Sequence, residues 1–285
     1  MTAVTTARNL DDALAVLARL GASVRCLAGG TDLMVELHAG RPTPDHVLDL
    51  WRVDALRGIT LVDRGLRLGA LTTAHDLVHA PLVARHADLL AAAARDVGAE
   101  QIRHRATLGG NLGTASPAAD LLPPLLALDA MVVLRSLRGV RQVPAAAFVT
   151  GYRTTARAAD ELIEAVWIPA RPADEWRAFR KVGTRRAQSI AKVVVALAVR
   201  AAGGMVHSVR AAAGSVAERT VLLPTLDRLL AGRRVDAAAC HAAARLCARD
   251  DVRPIDDVRS TARYRRHALA RVLEHLLLSL CLPSA

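Results

Sequence analysis

The sequence predicts an α+β fold in two parts, a larger mixed region over residues 1–170 and a smaller strand-plus-helix region over residues 175–285. Three observations carry this reading. Two pairs of short apolar runs flank glycine-containing turns, the pattern of β-hairpins: Ile59–Val62 with Leu66–Gly69 around Asp63-Arg64-Gly65, and Met131–Arg135 with Val140–Val143 around Gly139. The segment Pro169–Glu175, with Pro172, Asp174 and two alanines, reads as a linker. Beyond it, three apolar strands are followed by three helical patterns that close the chain.

The elements follow in order. Asn9 is placed to cap a helix carrying Leu10, Leu14, Leu17 and Leu20, which Gly21 stops. Val24–Ala28 reads as a short buried strand ending at Gly29-Gly30, and Val47–Leu50 as a second, so that a first subdomain ends near residue 55. A second subdomain, about 56–170, opens with the first hairpin. Helices follow around Ala74–Val78 and Leu82–Val97, then a polar glycine-rich loop from Thr107 to Pro117. Ala119–Leu128 is a helix with Pro123-Pro124 near its start. The second hairpin and the strand Leu162–Ile168, closed by Pro169, complete the region. After the linker, Trp176–Val182, Ile190–Ala201 and Met205–Ala213 form a three-stranded antiparallel sheet, with Gly203-Gly204 turning between the last two. The closing helices are Thr225–Ala231, Asp236–Ala248 and Thr261–Leu280.

Composition narrows the function. Hydrophobic residues are 52% and charged residues 23% of 285, which excludes wholesale disorder. With aromatics at 2%, the core is aliphatic and few rings are available to stack bases or sugars. No run of 18 uncharged apolar residues occurs, which argues against a transmembrane helix. Met1–Asp12 has no basic-then-apolar export pattern, so the expected location is the cytoplasm. The net charge is +11, and all basic residues except Lys181 and Lys192 are arginine. Together with heavy alanine use this reflects a GC-rich genome. No basic stripe interleaved with aromatics argues for nucleic acid, while a phosphate-bearing ligand or acidic partner subunits suit the charge. Cys26, Cys240, Cys247 and Cys281 form no CxxC pair, so no metal or iron–sulfur site is expected and the thiols read as reduced and mostly buried.

Two glycine segments carry the chemistry. In Leu27-Ala28-Gly29-Gly30-Thr31-Asp32-Leu33, an apolar strand runs into paired glycines, then a hydroxyl and a carboxylate. Paired glycines allow positive φ and close approach, and successive N–H groups in such a turn form an anion nest. The second, Thr107 to Pro117 with Asp120 just beyond, brings Gly109, Gly110, Asn111, Gly113, Thr114 and Ser116 between apolar flanks. Neither matches GxGxxG or GxxxxGK[ST]. Two such segments some eighty residues apart suggest one ligand held from two sides, a dinucleotide or a phosphosugar. His38, His75 and His104 read as ordinary polar residues.

These segments, with Gly69–Thr73, Gln101-Ile102-Arg103, Gly151–Thr154, Glu161-Leu162-Ile163, Phe179–Val182 and the tail Asp256–Arg265, resemble the FAD-binding (medium) subunit of the molybdenum hydroxylases, of the xanthine dehydrogenase, carbon monoxide dehydrogenase and aldehyde oxidoreductase type. The likeness runs the length of the chain, and Asn111-Leu112-Gly113-Thr114-Ala115-Ser116-Pro117 lies nearer the xanthine dehydrogenase branch. It implies a two-subdomain FAD-binding domain of the PCMH type and a smaller C-terminal flavoprotein domain. It implies noncovalent FAD between the subdomains. Leu27, Ala28, Gly29, Gly30, Thr31, Asp32 and Leu33 would wrap the diphosphate. Thr107, Gly109, Gly110, Asn111, Thr114, Ser116 and Asp120 would hold the other side. Leu162 or Ile163 would pack near the adenine, and Lys181 would sit near the flavin ring. No catalytic acid or base is expected.

The family's relatives with an extra iron–sulfur cluster carry added cysteines, and this chain has only Cys26 in its first 239 residues. Where several xanthine dehydrogenases place acidic residues after paired arginines, this chain reads Arg185-Arg186-Ala187-Gln188-Ser189, which leaves the acceptor open. The resemblance implies an electron-transfer subunit, not competent alone for hydroxylation. It would work with a molybdopterin-binding large subunit and a [2Fe–2S] small subunit, delivering electrons to NAD or another acceptor. The rivals are a self-sufficient PCMH-type flavin oxidase and a basic nucleic-acid or scaffold protein.

Overall fold

Asn9 accepts a hydrogen bond from the Asp12 N–H at 2.8 Å and so starts α1 (Leu10–Leu20), whose Ala13, Leu14, Val16 and Leu17 are buried. This helix joins β1 (Ala3–Thr6) to β2 (Val24–Leu27). With β3 (His46–Asp49) they form a parallel sheet in the order β1-β3-β2. A second short helix, α2 (Leu33–His38), crosses from β2 to β3. Leu14, Leu17, Leu48 and Leu56 share one small core with Leu71 and Leu162, so the first unit is seated on the second through apolar contact. The computed structural model of the chain describes residues 2–280; Cys281, expected among the buried thiols, lies outside them.

The second sheet is antiparallel, in the order β4-β5-β10-β6-β7, built from β4 (Ile59–Val62), β5 (Gly65–Gly69), β6 (Met131–Ser136), β7 (Gly139–Pro144) and β10 (Leu162–Pro169). Both expected hairpins are present. A small side ribbon pairs β8 (Val149–Gly151) with β9 (Thr154–Thr155). The central strand, β10, is apolar on both faces except for buried Glu164, which receives Arg67 at 2.9 Å and Arg135 at 2.7 Å from the flanking strands. Two guanidinium partners make that buried charge tolerable.

Between the hairpins the chain is helical. The region expected as one helix over Leu82–Val97 is two, α4 (Pro81–His86) and α5 (Asp88–Arg95), preceded by α3 (Ala74–His79). Ala87 breaks the run with φ −140°. Thr73 and Asp76 cap α3 reciprocally, with both bonds of a capping box present. Next come α6 (Glu100–Arg103), α7 (Leu108–Thr114), α8 (Leu122–Ala127) and, after β6 and β7, the turn α9 (Ala145–Phe148). The expected loop from Thr107 to Pro117 is therefore mostly a helix. Thr107 caps it by accepting from the Gly110 N–H, and Ala115 ends it in the left-handed region at φ 47°.

The third sheet is antiparallel. Its three long strands are β11 (Glu175–Val182), β12 (Val193–Ala202) and β13 (Met205–Gly214). Two two-residue strands, β14 (Val221–Leu222) and β15 (Arg233–Arg234), extend the expected three to five. On β12, Val193, Val195, Leu197 and Val199 face a core with α10 (Pro224–Leu230), α11 (Ala237–Asp250) and α12 (Ala262–Leu278), which contains buried Cys240 and Cys247. Ala196 and, on β13, Ala212 face the other way, into the core of the second sheet. A strand buried on both faces reads as the continuous apolar run seen here. Small alanines on that face admit α8. The tail Asp256–Ser260 is a turn, and α12 starts where the sequence places it, at Ala262 with Thr261 as its cap. Arg265, 4% exposed, ties the helix down by donating to the Ser215 and Lys192 carbonyls and to Asp257.

Candidate functional site

A cleft of about 350 Å³ opens where the first and second units meet. Its walls include Leu27, Ala28, Gly29, Gly30, Thr31, Asp32 and Leu33 on one side. The other side carries Thr107, Gly109, Gly110, Asn111, Thr114, Ser116 and Asp120, with Leu162 and Ile163 from the central strand of the second sheet. Two segments eighty residues apart are thus brought to one place. Lys181 is the exception, for its side chain does not line the cleft.

The two segments touch each other as well as the cleft. A Cβ on Gly29 would stand 1.6 Å from the Arg105 carbonyl oxygen, so only glycine admits this crossing. The Thr114 hydroxyl donates to Asp32 Oδ2 at 3.0 Å. Arg105 stacks on the Trp51 ring at 3.7 Å, fixing the strip that Gly29 abuts.

Their chemistry differs. Gly30 turns the first segment at φ 79°. Among the described residues, the N–H groups of Gly29, Gly30, Thr31, Asp32 and Leu33 donate to no protein acceptor. Consecutive unpaired donors around a left-handed turn make an anion nest. In the second segment the donors are already used: the Gly109 N–H bonds the Ala70 carbonyl, the Gly110 N–H the Thr107 hydroxyl, and the Asn111 N–H the Thr107 carbonyl. Gly110 is helical, so no positive φ explains it. Gly109 is needed for packing, since a Cβ would lie 2.8 Å from the Ala70 Cβ. What this segment offers is acceptors: Asn111 Oδ1 and Asp120 Oδ1 are buried with no hydrogen-bond partner among the described residues.

Asp120 is held from behind. The Lys181 ammonium donates to its Oδ2 at 2.7 Å and to the Asp96 carbonyl at 2.8 Å, with the lysine side chain 6% exposed. Lys181 is therefore neither a solvated strand-end residue nor part of the cleft wall. It clasps the third sheet to the wall of the cleft. Burial pushes the Asp120 carboxyl up to about 6; Lys181 opposes the rise and Asp96 adds to it. The Ser215 N–H makes a second clasp, to the Pro117 carbonyl at 2.7 Å.

Several lining residues carry no signal in their local sequence. Ile102, Arg157, Ala70 and Leu71 reach the cleft from α6, from the approach to β10 and from the turn after β5. Arg157 is fixed by donating to the Glu161 carbonyl at 2.6 Å, and Glu161 accepts from Arg141. Their places depend on how the second sheet closes.

Residues 1–171 match the family described as the FAD binding domain in molybdopterin dehydrogenase, and residues 177–280 match the carbon monoxide dehydrogenase flavoprotein C-terminal domain. The chain is similar to the putative xanthine dehydrogenase FAD-binding subunit of Escherichia coli (strain K12), at 36% identity over 74% of this chain and 73% of that one. It is also similar to the nicotine 6-hydroxylase medium subunit of Paenarthrobacter nicotinovorans, at 32% identity over 87% and 86%. Its fold superposes with a TM-score of 0.93 on carbon monoxide dehydrogenase from Hydrogenophaga pseudoflava, at 29% identity, covering 98% of this chain and 96% of that one. The chain therefore belongs to the FAD-binding subunits of the molybdenum hydroxylases, the oxidoreductase family of xanthine and carbon monoxide dehydrogenases, and its cofactor is FAD.

Proposed function

We propose that this chain is the electron-relay subunit of a three-component hydroxylase and that its FAD lies in the cleft between the first two units. The observation that carries this is the complementary chemistry of the two walls. FAD joins a diphosphate, which only accepts hydrogen bonds, to ribityl and ribose chains rich in hydroxyl donors. Unpaired N–H groups at Gly29–Leu33 suit the first, and the buried acceptors Asn111 Oδ1 and Asp120 Oδ1 suit the second.

In this reading Gly29, Gly30, Thr31, Asp32 and Leu33 bind the diphosphate through their N–H groups, with Leu27 and Ala28 shaping the turn. Asn111, Thr114, Ser116 and Asp120 receive hydroxyl groups. Thr107, Gly109 and Gly110 build the helix that presents them, and Leu162 and Ile163 give an apolar wall for the adenine. Lys181 is a positioning residue that acts through Asp120. When bound, FAD accepts electrons singly and releases them in pairs, the chemistry an electron relay needs. The domains divide at the 169–175 linker into a FAD-binding domain, 1–170, of two subdomains meeting near residue 55, and a C-terminal domain, 175–285.

The partners in this reading are separate polypeptides, a molybdopterin-binding large subunit and a [2Fe–2S] small subunit, in a heterotrimer or its dimer. The carbon monoxide dehydrogenase and nicotine 6-hydroxylase relatives, named as medium chain or subunit, support a multi-subunit assembly. The electrons leave to NAD or another acceptor, in the cytoplasm. None of the described helices is long and apolar enough to cross a membrane. Purification of the chain alone and with its genomic neighbours tests the proposal. The expected result is a yellow, iron-free protein that joins the two partners and restores electron flow from substrate to acceptor. A protein that takes no FAD, or that oxidises substrate alone, overturns it.

A further inference from the structure

We propose that His75, His79 and Glu100 form a binding site for a divalent transition-metal cation of the zinc class, bridging α3 and α6 outside the flavin cleft. His75 and His79 stand one helical turn apart on α3, so both rings project from one face. Glu100 opens α6 and faces them. One ligand atom from each of the three lies within 4.8 Å of the others.

The spacing suits a small cation. With bonds of about 2.0–2.1 Å to imidazole nitrogen or carboxylate oxygen, two ligands of a tetrahedral site are about 3.3 Å apart. His75 Nδ1 and Glu100 Oε1 are 3.3 Å apart. A cation would replace the proton they share, with His79 turning in as the third ligand and solvent filling the fourth position. His79 is exposed and makes that adjustment by turning its ring, while Glu100 stays held by Arg103 with Oε1 toward the histidines. Imidazole nitrogen with one carboxylate favours zinc, nickel, cobalt or copper over magnesium or calcium.

The surroundings are those of a supported site. Arg103 donates to Glu100 Oε2, leaving Oε1 to face the histidines. His104 stacks on His75 with ring centres 3.9 Å apart, and its Nε2 is 3.4 Å from the same Oε1, so it orients both ligands. Asp76, whose carboxylate caps α3 by accepting from the Thr73 N–H at 2.9 Å, lines an adjacent depression with His75, His79 and Arg57. His75 and His104, unremarkable one at a time in the sequence, acquire this chemistry only because Thr73 and Thr107 pair as a bridge and bring α3 against α6.

The site is independent of the flavin reading and is tested with metal alone. The full chain, stripped with chelator, is titrated with Zn²⁺ by calorimetry and with Co²⁺ by visible spectroscopy. The expected result is one saturable equivalent, with a Co²⁺ spectrum lacking a thiolate charge-transfer band. His79→Ala and Glu100→Gln should each weaken binding by at least about tenfold, with circular dichroism unchanged, while His38→Ala leaves it intact. Three results would each overturn the proposal: no stoichiometric binding, affinity unmoved in folded His79→Ala, or a thiolate band placing the metal on cysteine.

Discussion

The two glycine segments look alike in composition but do opposite work. Gly29–Leu33 is an irregular turn whose backbone donors are all unspent. Leu108–Thr114 is a helix whose first donors are spent on Thr107 and Ala70, and which presents side-chain acceptors instead. Glycine serves a different end in each. In the first it permits a left-handed φ at Gly30 and a backbone crossing at Gly29; in the second it lets a helix lie on the Ala70 strip. A cofactor with a donor-poor middle and hydroxyl-rich arms needs one wall of each kind.

The largest expected effect falls on the crossing. Gly29→Ala sets a methyl group on the Arg105 carbonyl, which cannot yield without moving the link between α6 and α7. The loss should exceed about 3 kcal/mol of stability, and FAD retention should fail with it. Thermal unfolding and FAD titration would measure both. Wild-type behaviour in Gly29→Ala would mean that the segments do not cross here.

Lys181→Met tests the support behind the acceptor wall. It leaves Asp120 buried without its cation, and breaking a buried pair in this way costs about 3–5 kcal/mol. The Asp120 carboxyl should rise further above its ordinary value, because the Lys181 ammonium that opposes the rise is removed. Chemical denaturation and carboxyl NMR titration would check this. A near-neutral change would make the 2.7 Å contact incidental.

A pH series isolates Asp120 itself. Its carboxyl holds its proton more tightly in the folded apoprotein, to about 6, than at its ordinary 3.8. Its contribution to stability is thus complete below about 3.8 and is lost as pH rises through 6. The total is about 3 kcal/mol for about two units. Unfolding free energies from pH 4 to 7 should show this fall in the wild type and not in Asp120→Asn.

The smallest effect should come from the bond between segments. Thr114→Val removes the hydroxyl that reaches Asp32, worth about 1 kcal/mol. FAD affinity should drop only a few-fold. A loss as large as that in Gly29→Ala would mean that this bond, and not the backbone crossing, sets the geometry.

Much of this was legible in the sequence because local rules and tertiary needs agree. The Asn9 cap, the glycine hairpins and the apolar run of β12 form where periodicity places them. The Thr107–Pro117 segment misleads because three glycines and several hydroxyls argue for a loop. The Thr107 cap and the Gly109 contact with Ala70 repay the helix for its poor formers. Gly110 lines the cleft from a helical position, where a Cβ would crowd the Thr107 hydroxyl at 2.9 Å, so its glycine is explained by the cap and not by a positive φ. The placement of Lys181 depends on a long-range meeting of β11 with the end of α5 and the start of α8, which no local pattern records. Arg157 and Ile102 enter the cleft in the same way.

The most direct test of the division of labour is an amide NMR titration of the full chain with FAD. Backbone donors that acquire a phosphate acceptor shift downfield and exchange more slowly with solvent. Those changes are expected at Gly29, Gly30, Thr31, Asp32 and Leu33, while the Gly109 and Gly110 amides, already bonded within the protein, keep their slow exchange unaltered. New protection at Gly109 and Gly110 with none at residues 29–33 would contradict this division.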